Sequence, residues 1–309
     1  MQLVRGIHNI RDAHNGCVLT IGNFDGVHLG HQRVIKALVA KAKEMNLMPA
    51  VMVFEPQPQE LFNPQSAPAR LSRLRDKYSL LKELGVKRLI CVNFNFAFAA
   101  QSPEQFVEQL LVQKLGVKHL IIGDDFRFGK NRLGDFSMLQ RAGQTFGFGV
   151  TDTKSFKLDQ CRISSTEIRK ALQQDDLAEA QTMLGRKYSI RGRVVHGDKQ
   201  GRHLGFPTAN VLLKRCVSPI RGVYIVQTHL DGLSFFGIAN IGSRPTVRGT
   251  RQQLEVHIFD FKGDLYGKQI EVVLLHKLRD EQRFASISEL TAQISRDAEQ
   301  ARQYCQQLG

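Results

Sequence analysis

The sequence predicts an α/β protein in two parts, a parallel sheet covered by helices over residues 1–186 and a β-barrel with a terminal helix over residues 187–309. Three observations carry this. Short apolar runs alternate with helix-period segments in the first part, the signature of parallel strands joined by crossover helices. Beyond about residue 186 strand-like runs follow one another across glycine-rich connections, and closure into a barrel removes the sheet edges such runs would expose. A chain of 309 residues is also long enough for two separate cores.

Taken in order, Cys17-Val18-Leu19-Thr20-Ile21 reads as a strand, Gly22–His31 as a turn, and residues 31–45 as a helix. Further strands are expected at 50–54, 88–93, 118–122 and near 148–153, with helices near 71–84, 103–115 and 135–146. Ser102-Pro103-Glu104 marks a helix start, with a capping hydroxyl, proline at the first helical position and an early acid. Ile163-Ser164-Ser165-Thr166-Glu167-Ile168-Arg169 reads as another helix start, rich in hydroxyls. The second part has strand runs near 188–196, 222–229, 233–241, 253–260 and 268–277. Ser286-Ile287-Ser288-Glu289 has the form of a capping box and opens a helix to about Gln307.

Composition narrows the function classes. Hydrophobic residues at 42% and charged residues at 23% suit a soluble globular protein, and no apolar run approaches a membrane span or a signal peptide. The five cysteines are scattered, with no Cys-x-x-Cys pair, so free thiols in a reducing cytoplasm are expected. The net charge of +14 is spread over both parts without a polybasic tail. Small phosphate-rich ligands account for it, and no nucleic-acid-binding motif is present. Composition gives no oligomeric state.

The turn Gly22-Asn23-Phe24-Asp25-Gly26-Val27-His28-Leu29-Gly30-His31 lies at the carboxyl end of a strand and the start of a helix. Ligands of parallel sheets bind there, and helix-start N–H groups attract anions. His28 and His31, three residues apart, share a helix face and point at one phosphate. A zinc pair would need a third ligand at metal-site spacing, which the sequence lacks. Gly123–Asn131 superficially has the look of a Walker A loop, but five residues separate its glycines and Asn131 stands in place of Ser/Thr, which excludes it.

Gly-x-Phe-Asp-Gly-x-His-x-Gly-His, Phe54-Glu55-Pro56-Gln57-Pro58, the Asp125-Phe126-Arg127-Phe128-Gly129 segment and Ile-Ser-Ser-Thr-x-Ile-Arg occur in one order across residues 1–186. Together they resemble the FMN adenylyltransferase half of bacterial bifunctional FAD synthetases, a Rossmann-like nucleotidyltransferase. The resemblance implies that Gly22, Asn23, Phe24, Asp25, His28, His31, Ser164, Ser165, Thr166 and Arg169 hold ATP, with His28, His31 and Arg169 serving the chemistry. It places FMN near Phe54, Pro56, Pro58, Asp125, Phe126 and Phe128. Attack by an FMN phosphate, already anionic, needs no general base, only alignment and charge neutralisation at the α-phosphate and departing pyrophosphate.

In the second part, Gly197-Asp198-Lys199-Gln200-Gly201-Arg202-His203-Leu204-Gly205-Phe206-Pro207-Thr208-Ala209-Asn210 lets backbone approach phosphate closely and adds charge through Lys199 and Arg202. The oxygens of Thr208 and Asn210 suit Mg²⁺ arriving with ATP. This loop, Asn240–Thr246, Leu254–Asp260 and Leu278–Phe284 resemble riboflavin kinase. That resemblance implies ATP at Gly197, Lys199, Gly201, Arg202, Gly205, Pro207, Thr208 and Asn210, and flavin at Arg279, Arg283 and Phe284. It also makes Glu255 the base that accepts the proton of a ribityl hydroxyl. The expected small-molecule partners are riboflavin, FMN, FAD, ATP, ADP and pyrophosphate.

Overall fold

In a computed structural model of the protein the described residues are 1–123, 125–153, 163–197, 201, 204–213, 217–246 and 249–307, with backbone alone at 243–246 and 249–251. The chain divides into two compact units, Met1–Pro68 with Ser72–Ser164, and Ala69–Leu71 with Ser165–Gly309.

The first unit runs β1 (Gln2–Arg5), β2 (Cys17–Ile21), α1 (Leu29–Glu44), β3 (Met48–Glu55), α2 (Pro58–Phe62), α3 (Leu74–Glu83), β4 (Arg88–Asn93), α4 (Phe96–Ala99), α5 (Pro103–Gln105, running on as a π-helix over Phe106–Lys114), β5 (Val117–Ile122), α6 (Phe136–Phe146) and β6 (Gly149–Asp152). Its six strands form one parallel sheet in the order β1-β4-β3-β2-β5-β6. All five residues of β2 are buried, as a central parallel strand covered on both faces requires. Leu19, Met52 and Leu120 pack in the core on one face with Leu111 and Leu139, while Val18, Val51 and Leu89 meet Ile35 and Leu38 of α1 on the other. The Ser102 cap is present: Gln105 N–H donates to Ser102 Oγ at 3.2 Å, and Ser102 N–H to Gln105 Oε1 at 2.9 Å. Strand β1 is an addition to the sequence reading; its four residues are too few to show a period.

The second unit begins with α7 (Ser165–Gln173) and α8 (Leu177–Leu184) and continues through β7 (Ser189–Val195), β8 (Ala209–Leu212), β9 (Gly222–Leu230), β10 (Leu233–Thr246), β11 (Gly249–Ile258), β12 (Gln269–Arg279) and α9 (Ile287–Gln306). The six strands close into an antiparallel barrel, β10-β11-β8-β7-β12-β9. Ser286 caps α9 by accepting the Glu289 N–H at 3.2 Å. Ala298, Ala301 and Cys305 of α9, spaced at helix period, pack on Ile225, Ile238 and Phe259. The α7–α8 connection is fastened to the barrel by Asp175, whose carboxylate lies 2.5 Å from Lys277 Nζ and accepts the Tyr224 hydroxyl at 2.6 Å. Strand β8 emerges from the glycine-bearing loop, where the sequence offered only four strand residues after Pro-Thr.

Candidate active sites

In the first unit the turn after β2 is held in a strained form. Phe24 has φ 46° and Val27 φ 43°, left-handed values that cost a bulky residue on the order of 1–3 kcal/mol each. Burial of both side chains and a clamp from Ser72 hold them there: Ser72 N–H donates to Asp25 Oδ1 at 2.9 Å, and Gly26 N–H to Ser72 Oγ at 2.9 Å. Gly26, at φ 81°, supplies the left-handed step that other residues rarely take.

His28 is the N-cap of α1 rather than part of its first turn; its Nδ1 accepts the His31 N–H at 3.3 Å. The two rings stack with centroids 3.6 Å apart, so the structure brings the predicted pair together at the helix's electropositive end. A Cβ on Gly30 would come within 3.2 Å of the His28 ring and 3.6 Å of the Ile163 carbonyl, so the glycine admits both the ring and that carbonyl. The Nδ1 of His31 is shut from solvent with no hydrogen-bond partner among the described residues, a polar atom left for a ligand. Burial, then the His28 ring and the Lys77 ammonium, hold His31 well below the ordinary histidine value. It is therefore a neutral hydrogen-bonding group at physiological pH. Gly22 donates to the Met52 carbonyl at 3.1 Å, and Asn23 is exposed beside it. Ser164 ends the first unit, whereas Ser165, Thr166 and Arg169 lie on α7 in the second. Arg169 Nε donates to the Ala69 carbonyl at 2.6 Å.

Lys77 went unread in the sequence. It is fully buried on α3, one turn before Leu81, and its Nζ lies 3.9 Å from Glu55 Oε1 at the end of β3. Its signal was a lysine on the apolar stripe of a helix, a placement that burial of an ammonium makes costly.

His31 and two other buried or half-buried histidines, His14 and His119, are all lowered, with burial the leading cause in each. Unfolding frees them to take a proton at ordinary histidine values near 6.5, so stability rises with pH through that range and is lost as pH falls below about 6.5. The unfolding midpoint is expected to drop between pH 7.5 and 5, and to drop less in His31→Gln. A midpoint equal at both values would contradict the assignment.

A cavity of about 790 Å³ opens beside Phe54 and Pro58. Phe126 and Phe128 also line it, stacked at 5.7 Å, as do Phe62, Phe94, Phe96, Phe98 and Phe106. Phe62 and Phe94 meet edge to face at 5.8 Å, and Phe94 and Phe98 likewise at 5.8 Å, leaving aromatic faces for a planar ligand. Arg127, Lys130 and Arg132 add positive charge to its wall. Pro56 and the exposed Asp125 lie outside that wall. The Phe94-x-Phe96-x-Phe98 spacing was the overlooked signal: it alternates like a strand, yet Asn95 caps a short helix there by accepting the Phe98 N–H at 2.8 Å.

In the barrel, strand register builds the site. Asn210 pairs with Glu255, Glu255 with Asn240, Asn240 with Val223, and Val223 with Arg279, a single row across β8, β11, β10, β9 and β12. Directly opposed residues of antiparallel strands share a face, so the row's side chains converge. All five line one cavity of about 340 Å³, together with Gly201, Thr208 and Phe284. Gln253 donates its amide to Asn210 Oδ1 and lies 3.3 Å from Glu255 Oε1. Asn240 Oδ1 is buried without a partner among the described residues. Gly197 sits where a Cβ would lie 2.4 Å from Asn210, and Gly205 has φ 83°. Pro207 is exposed next to this wall and its carbonyl lies 2.9 Å from His257 Nδ1. Lys199 and Arg202 lie outside the described residues. Arg283 is exposed and outside the cavity wall. Thr208 and Asn210 offer hard oxygen donors in one cavity, which fits a divalent cation arriving with phosphate, with Gln253 orienting the amide oxygen behind it.

Among the described residues no helix is long and apolar enough to cross a membrane. A FAD synthetase family model matches residues 10–167 and a riboflavin kinase model residues 184–305. The chain is 55% identical to the bifunctional riboflavin kinase/FMN adenylyltransferase of Escherichia coli K12 over 98% of each protein. It is 53% identical to that of Haemophilus influenzae, over 98% of this chain and 99% of the relative. A crystal structure from Streptococcus pneumoniae, described as a macrolide-efflux protein, superposes with a TM-score of 0.80 at 29% identity, covering 98% of this chain and 99% of that one. With two family models in the predicted order and full-length relatives above half identity, the chain belongs to the bifunctional riboflavin kinase/FMN adenylyltransferase family.

Proposed function

We propose that the barrel phosphorylates riboflavin from ATP to give FMN, and that the parallel-sheet unit joins FMN to the AMP part of a second ATP, giving FAD and pyrophosphate. The observation that carries the first half is the row Asn210–Glu255–Asn240–Val223–Arg279 across one cavity. Glu255 takes the ribityl hydroxyl proton as that oxygen attacks the γ-phosphorus and ADP leaves. Thr208 and Asn210 would hold a divalent cation, which offsets phosphate charge when bound. The stacked His28–His31 pair at the start of α1 supports the second half. FMN sits with its ring among Phe54, Phe126 and Phe128 and its phosphate toward the histidines. His28, His31 and helix-start N–H groups, with Ser164, neutralise charge as pyrophosphate departs. Lys77 adds a buried cation near His31. Use of ATP and the buried thiols of Cys17, Cys91 and Cys305 support a cytoplasmic enzyme.

Incubating the purified chain with riboflavin, ATP and Mg²⁺ and separating the flavins tests the reading: FMN and then FAD appear. A nucleotidyltransferase for another metabolite gives neither, and a flavin-storage or RNA-binding protein turns over no ATP. Chelation is expected to stop both steps without unfolding the protein, and added Mg²⁺ to restore them. Activity that stays lost under ample Mg²⁺ and returns only with zinc contradicts the cation assignment.

We also propose that residues 187–309 form the kinase domain and residues 1–186 the adenylyltransferase domain. Expressed alone with α9 intact, 187–309 is expected to make FMN but no FAD. A fragment starting at Ser165 retains Asp175 for Lys277 and Tyr224, and is expected to melt higher. A cooperatively folded 187–309 without kinase activity would overturn the assignment.

A further inference from the structure

Asp297 lies on the face of α9 that covers the barrel, between Ile294 and Ala301, and only 2% of it is exposed. A carboxylate so placed is costly unless paired. Its partner is Arg279: Nε lies 3.1 and 3.0 Å from the two Asp297 oxygens, and Nη2 lies 2.8 Å from Oδ2. The Gln293 amide donates to Asp297 Oδ1 at 2.8 Å, fixing the carboxylate from behind. Arg279 Nη1 donates to the Asp280 carbonyl at 3.0 Å, and the guanidinium carbon stands 5.7 Å from the Phe284 ring centroid. These contacts set the plane of the guanidinium without using all of its N–H groups. Arg279, Phe284 and Asp297 all line the barrel cavity.

We infer that Asp297 is a positioning residue of the kinase site, which holds Arg279 as a fixed donor and flat face for the flavin ring rather than as a cation for ATP. Two observations point to the ring. The pair is neutral as a whole, so it offers little net attraction to a polyphosphate, whereas a held guanidinium plane suits an uncharged aromatic system with carbonyl oxygens. Arg279 also stands over the Phe284 ring, 5.7 Å from its centroid, so a donor and an aromatic face are offered side by side to one flat ligand. The terminal helix is thus part of the kinase site as well as a cover for the barrel. The inference rests on reading this cavity as the kinase site.

Steady-state kinetics of full-length Asp297→Asn against riboflavin and ATP separately test it. The riboflavin KM is expected to rise roughly 10-fold, the order for loosening a charged hydrogen-bonded pair, with the ATP KM within about twofold. FAD formation from supplied FMN stays at its normal rate. Asp297→Glu recovers part of the riboflavin affinity. Arg279→Lys keeps the charge but loses the fork and gives the same split, and the double variant is no worse than the poorer single one. Should Asp297→Asn fold poorly, Arg279→Lys answers the same question. A folded variant with unchanged riboflavin KM, or with equal rises for both substrates, overturns the inference. Failure of the site reading itself shows elsewhere, as full kinase turnover in Glu255→Gln.

Discussion

Replacing Glu255 with glutamine is expected to slow riboflavin phosphorylation by roughly 10²–10⁴-fold, the range for loss of a general base, while supplied FMN still becomes FAD. The amide has the shape of the carboxylate and keeps its place between Asn210 and Asn240 in the strand row, so the cavity wall is preserved. What it loses is the ability to accept a proton. The contact from Gln253 Nε2, 3.3 Å from Glu255 Oε1, can be kept by the new amide's oxygen, so the swap is nearly silent structurally. The measurement is flavin chromatography from two starting points, riboflavin and FMN, on one preparation. Near-normal FMN production from riboflavin would remove Glu255 from the proton transfer and leave it a positioning role.

The row containing Glu255 also shows where reading the sequence stops. The alternation of elements was legible because burial on both faces leaves apolar runs in β2 and β4, and because Ser102 and Ser286 announce their helices. The strand content of the barrel was legible for the same reason of pattern. Register was not: nothing in 210, 223, 240, 255 and 279 as numbers says that they share one row, since that follows from closure and from the shifts within β12. The motifs identified Asn210, Glu255 and Arg279 separately, and the pairing supplied Asn240 between them.

Asp297 and Lys77 show the second gap. Each is a charge on the buried stripe of a helix, and each has its meaning only through a residue far away in sequence, Arg279 and Glu55 respectively. The α7–α8 segment is a third case. The change of element type falls near Gly185, but Asp175 ties the preceding helices to Tyr224 and Lys277, so packing changes partner earlier than pattern does. Local periodicity reports which face is buried, not what it is buried against.

At the other site the cleanest large effect is expected from His31→Ala, because the two stacked histidines differ in what else they hold. The His28 ring caps α1 by accepting the His31 backbone N–H, so His28→Ala removes a cap, costing about 0.5–2 kcal/mol of stability, as well as a ligand. His31 contributes to that bond only through its main chain, which alanine keeps. Its side chain instead presents a buried Nδ1 without a partner among the described residues, and stays neutral under burial, His28 and Lys77. A neutral imidazole can donate a hydrogen bond to oxygen charge that grows on the α-phosphate as pyrophosphate leaves. Loss of one such donor is worth about 2–4 kcal/mol, or roughly 10²–10³ in rate. Pyrophosphate release from FMN and ATP should fall by that factor in His31→Ala, with riboflavin phosphorylation by the same preparation unchanged. The lost rate should appear in kcat more than in the KM for FMN, whose ring is held among Phe54, Phe126 and Phe128. Equal loss of both activities in a well-folded variant, or a fall in FMN affinity alone, would detach His31 from the phosphate chemistry and return it to the packing of α1.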